Sequence, residues 1–185
     1  MRSAHDTADL KKRLELPASE LARLLMTLPS DNAITDVLDY VIGALYGLMR
    51  AIDMGFVDRP AGWHSMYRTN IAKYVGRVLR GDRINDRWVA GFYFNSAIQR
   101  IAACFDRIPK LLQAKGNGAR ARMGAANSGT YTKWGEVYEE INGYKHDPSG
   151  RAAGRSVTLE DAITAFGEVM AFLKASEVKL RSPKS

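Results

Sequence analysis

Apolar residues in this chain recur at the spacing of a helix. Val37, Leu38, Val41, Leu45, Leu48, Met49 and Ile52 share one broad face of a 3.6-residue period, and Phe94, Ala97, Ile98, Ile101, Phe105, Ile108 and Leu112 share another. Met66, Tyr67, Ile71, Tyr74, Val75 and Val78 make a third stripe, and Leu159, Ile163, Phe166, Val169, Met170 and Leu173 a fourth. No strand candidate competes with them. Such a face must be buried against another helix, so the pattern predicts an all-α antiparallel bundle of about five to six helices.

The breakers set the boundaries. A short helix over 18–27 ends before Pro29, and Ser30 or Asp31 caps the next, which runs to about Met54. A connector with Pro60 leads to a helix over 63–79, closed by Gly81-Asp82. The fourth helix spans about 85–114, and Pro109 is expected to kink or split it. Residues 115–129 form a loop rich in Gly, Ala and Arg, too long for an ordinary helix connection. A fifth helix covers 130–146, and Thr158-Leu159-Glu160-Asp161 is a capping box for the sixth. A chain of 185 residues holds one sizeable core. The expected division is a helical extension over 1–29, the bundle over 30–176 and a basic tail over 177–185.

With 27 Lys and Arg against 20 Asp and Glu, the net charge of +7 favours polyanionic partners such as nucleic acid. The single cysteine, Cys104, rules out an intrachain disulfide framework and suits a reducing, cytoplasmic setting. Its neighbours Ala102, Ala103 and Phe105 mark it as a small core residue. Asp6, Asp9, Lys11, Lys12 and Arg13 stand where a secretory signal needs an apolar run, and charges interrupt the longest apolar segment, so neither export nor a membrane span is expected. Three His and one Cys offer no metal-ligand spacing, and no cofactor motif is present.

The chemistry-bearing segment is Glu139-Glu140-Ile141-Asn142-Gly143-Tyr144-Lys145-His146, the polar end of the fifth helix, followed by Asp147-Pro148-Ser149-Gly150. At about 100° per residue, Glu139, Asn142 and His146 fall within roughly 60° of one another, and Lys145 lies in the same last turn. Two readings fit these residues: a site for phosphate chemistry, or cations complementing the negative end of a helix. On the fourth helix, Asn95, Gln99 and Asp106 border the apolar face as a polar stripe, while Arg100 and Arg107 share another face.

Phe92-Tyr93-Phe94-Asn95-Ser96-Ala97-Ile98-Gln99-Arg100-Ile101 on one long helix, followed by 137–146, a Gly-bearing loop and a capped last helix, resembles the HEPN superfamily over roughly residues 30–175. The family consists of helical bundles, commonly homodimeric, and many members are metal-independent endoribonucleases of toxin–antitoxin and antiviral defence systems. Its commonest signature is Arg, four to six residues, then His. Here Glu140 and Ile141 stand where that Arg and its follower are sought, so the resemblance is to a divergent branch carrying Glu139, Asn142, Lys145 and His146. The literal Arg59-x4-His64 contains Pro60 and Gly62 and does not suit a rigid helical turn.

The resemblance implies a cytoplasmic endoribonuclease acting by attack of an RNA 2′-hydroxyl on the adjacent phosphorus. His146 would be the acid or base, Lys145 and Arg100 would meet the developing charge, and Asn142 and Glu139 would orient the imidazole or ribose. Asn95, Asp106, Arg120, Arg122, Arg151 and Arg155 would contact the strand. A homodimer would place two such stripes across one groove, and an antitoxin or defence-system protein is the implied protein partner. The alternatives are an inactive HEPN-like module that binds RNA, nucleotide or a protein, and a helical adaptor whose charge only aids solubility.

Overall fold

In a computed structural model of the chain, residues 4–56, 86–115 and 158–182, with 80, 117, 121 and 122, are described. They form four long helices: α1 (Ala4–Thr27), α2 (Asn32–Asp53), α3 (Asp86–Leu111) and α4 (Leu159–Arg181). No strand occurs among the described residues. The helices expected over 63–79 and 130–146 lie outside them.

Local chemistry explains the ends. The Asp31 carboxylate accepts from Ala33 N at 2.9 Å and Ile34 N at 3.2 Å, satisfying donors that the first turn of α2 leaves open. Gly55 closes α2 with φ of 67°, a left-handed conformation that costs a residue without Cβ little. At α4 the expected capping box is complete: Asp161 N donates to Thr158 Oγ1 at 3.1 Å, and Thr158 N donates back to the Asp161 carboxylate at 2.8 Å.

Two boundaries differ from expectation. α1 begins at Ala4 rather than Ala18 and passes through Pro17. Leu10, Leu14, Leu21 and Leu24 are buried along it and Leu28 just beyond its end, and that tertiary contact outweighs a local breaker. α3 is not divided at Pro109 but runs on to Leu111. The cost is small there because the helix is about to end, and Gln113, at φ 54°, turns the chain just beyond.

All six residues expected on the last helix's stripe, Leu159, Ile163, Phe166, Val169, Met170 and Leu173, are buried in one core with Phe94, Ile98, Ile101, Phe105 and Ile108 of α3. Cys104 is buried among them, and that burial pushes its thiol up to about 12, so it packs as a hydrophobe. Lys11 pairs with Asp53, so α1 and α2 are antiparallel. Arg13 meets Thr164 while Arg23 meets Glu177, so α1 and α4 run parallel.

The closest helix pair is α2 with α3. A Cβ built on Gly47 would lie 2.8 Å from the Tyr93 carbonyl oxygen and 3.1 Å from Ala97 Cβ, and one on Gly43 would lie 2.5 Å from an Arg100 guanidinium nitrogen. These approaches set the two helices antiparallel. They also put Arg100 directly over bare backbone.

Candidate nucleic-acid interface

The α2–α3 seam carries arginines and tyrosines in alternation. The Arg100 guanidinium carbon lies 5.8 Å from the Tyr40 ring centroid and that of Arg107 4.2 Å from the same ring. The Arg50 guanidinium carbon lies 5.7 Å from the Tyr93 ring centroid, and Tyr93 meets Tyr46 edge to face at 5.9 Å. Guanidinium groups are attracted to the negative face of an aromatic ring, which holds a cation without neutralising it.

Which arginines are neutralised divides the molecule. Arg13, Arg23, Arg122 and Arg181 each meet a carboxylate, and Arg107 pairs with Asp36 while donating to the Tyr40 hydroxyl at 3.0 Å. Arg50 and Arg100 meet no carboxylate among the described residues. Arg100 has a long 3.5 Å contact to Ser96 Oγ. Arg50 Nε is buried and has no hydrogen-bond partner among the described residues, a deficit that ordinarily costs about 1–3 kcal/mol. Asp39 is exposed on α2 and enters no ion pair among the described residues.

The expected site residues fall into three groups. Arg100 stands on the seam, half-buried, between Tyr40 and the Gly43 backbone. Asp106 and Arg122 are brought together, with Arg122 Nη2 at 2.7 Å from the carboxylate, and Lys110 joins them from one turn on. Burial works against the Asp106 charge, yet Lys110 and Arg122 hold its pKa below the ordinary carboxylate value. Arg122 is 19% exposed and is thereby tied to α3. Asn95 is half-buried on the same helix, five residues before Arg100. Glu139, Asn142, Lys145, His146, Arg120, Arg151 and Arg155 lie outside the described residues.

Tyr40, Gly43, Tyr46, Arg50 and Tyr93 did not stand out in the sequence. Their signal was the 3–4 spacing of Tyr40, Gly43, Gly47 and Arg50, one stripe of α2 that faces Tyr93, Ala97 and Arg100. Among the described residues, no three His, Cys, Asp or Glu converge as a metal site would require, and no helix is long and apolar enough to cross a membrane.

No protein-family model, curated protein or solved structure matches the chain.

Proposed function

We propose that this protein acts on RNA as a HEPN-type endoribonuclease of a defence or toxin–antitoxin system, working in the cytoplasm as a homodimer. The observation that carries the reading is Arg100: a cation on the helix that bears the family-like segment, set against Tyr40 and Gly43 and meeting no carboxylate among the described residues. A guanidinium so placed can meet the charge that builds on a phosphoryl group.

In the mechanism, the RNA 2′-oxygen loses its proton and attacks phosphorus. The bond to the 5′-oxygen breaks, that oxygen takes up a proton, and a 2′,3′-cyclic phosphate remains. His146 carries a proton in this exchange because an imidazole titrates near neutrality. Lys145 and Arg100 stabilise the phosphoryl oxygens, and Asn142 and Glu139 orient the imidazole or ribose. No step calls for a metal ion.

Incubation of the purified protein with total RNA in EDTA tests this. Cleavage leaving cyclic phosphate ends is expected, and His146→Ala should abolish it with helix content and melting unchanged. Retardation of RNA without cleavage would instead establish the inactive RNA-binding module, a reading favoured by Glu140 and Ile141 standing where the family's usual arginine is sought.

A further inference from the structure

Arg50, Tyr93 and Tyr46 are a second element of the seam that the reaction just described does not use. Arg50 and Gly43 lie two helical turns apart on α2, roughly 10 Å at 1.5 Å per residue. Since Arg100 sits over Gly43, the two uncompensated guanidiniums are separated by about that distance along one face. Between them Tyr46 is 57% exposed, far more than a ring held only for packing. Its edge contact with Tyr93 orients it while leaving much of the ring open.

We infer that Arg50 and Tyr46 form a nucleotide-binding subsite for an unpaired residue of an RNA strand, with phosphate on Arg50 and the base stacked on Tyr46. The chemistry requires both parts of such a ligand. Arg50 is half-buried and faces the Tyr93 ring, with no carboxylate beside it among the described residues, so a phosphate supplies its counter-charge, and a flat ring covers the open face of Tyr46. A duplex hides its base faces inside the stack and cannot satisfy Tyr46; an acidic peptide can satisfy Arg50 but has no ring to offer. Tyr93 is a positioning residue, touching both Arg50 and Tyr46.

The subsite rests on the RNA-directed reading of the seam but not on cleavage. Its test is fluorescence anisotropy of the full-length protein with a labelled single-stranded RNA, the matching RNA duplex, and polyglutamate as competitor. Tyr46→Ala should weaken single-strand binding roughly 5- to 100-fold, Tyr46→Trp should retain it, and duplex binding should barely change. Arg50→Gln should lower the slope of log affinity against log salt by about 0.7. Melting curves identify any variant that fails to fold, and Tyr46, being exposed, is the safer of the two positions. Wild-type binding by folded Tyr46→Ala and Arg50→Gln overturns the subsite even where His146-dependent cleavage is intact. Equal competition by polyglutamate overturns it as well. Loss of single-strand binding in both variants of a protein that cleaves nothing upholds the subsite and sinks only the nuclease reading.

Discussion

The α1–α4 face and the α2–α3 seam both display arginines, but they treat the charge in opposite ways. On the first, Arg23 donates to Glu20 at 2.7 Å and to Glu177 at 2.8 Å; Arg181 pairs with Glu177, and Lys174 lies near Glu20. The arrangement closes on itself. Its hydrogen bonds to Arg23 lower the pKa of both carboxylates, Glu177 to about 2, while the Arg23 guanidinium is correspondingly harder to deprotonate. On the seam, tyrosines replace the carboxylates under Arg50 and Arg100, and the positive charge stays available to an outside anion. A basic surface is thus informative only once its counter-charges are known.

The sharpest way to break this contrast is to remove one arginine from each region. Arg100→Gln should lower RNA cleavage roughly 100-fold, the scale of one lost transition-state donor, with stability changed by less than about 1 kcal/mol. Arg23→Gln should do the reverse, lowering the melting temperature while turnover stays at the wild-type level. Paired assays of cleavage and thermal unfolding check both, and a stability loss at Arg100 would make the seam an ordinary packing contact.

The two seam glycines sharpen the picture. Gly47→Ala drives a methyl against the Tyr93 carbonyl, which is fixed backbone, and should cost about 1–3 kcal/mol in urea unfolding. For Gly43→Ala the three nearest atoms are Nη1, Cζ and Cδ of the Arg100 side chain, which can swing aside. It should leave stability unchanged or raise it by up to about 1 kcal/mol through helix propensity, while displacing the guanidinium and lowering cleavage several-fold. Equal destabilisation by the two would show that Arg100 is locked in place.

The smallest effect belongs to pH. Glu177 has its folded pKa depressed from 4.5 to about 2, so its contribution is complete above the unfolded value and is lost as pH falls from about 4.5 toward 2. These side chains are solvent-screened, so the loss should be modest and shrink further in high salt. Thermal melts across that window should show Glu177→Gln less acid-sensitive than the wild type, with RNA binding at neutral pH untouched.

Much of the core was legible in the sequence because it depends on a local period. The α4 stripe and the Thr158–Asp161 box appear as expected, the α2 and α3 stripes do so except that Leu45, Met49 and Leu112 are only partly buried, and of the two expected caps, Ser30 and Asp31, it is Asp31 that caps α2. The start of α1 was not legible, because Pro17 is a local breaker and the burial that overrides it comes from distant helices. Arg100 stands out in the sequence because it shares a face of the fourth helix with Arg107. Its partners do not, since Tyr40 and Gly43 lie far away in the chain.

The sequence by itself therefore determined α2, α3 and α4, most of their apolar faces and the excess of positive charge, properties of composition and of neighbours within a few turns. Only the tertiary structure decided which arginines are neutralised. Arg23, Arg107 and Arg122 find Glu177, Asp36 and Asp106 across the fold, whereas Arg50 and Arg100 find tyrosine rings. The reason is physical: electrostatic pairing acts over a few ångströms in space, and helix packing, governed here by the missing side chains of Gly43 and Gly47, chooses which residues come that close.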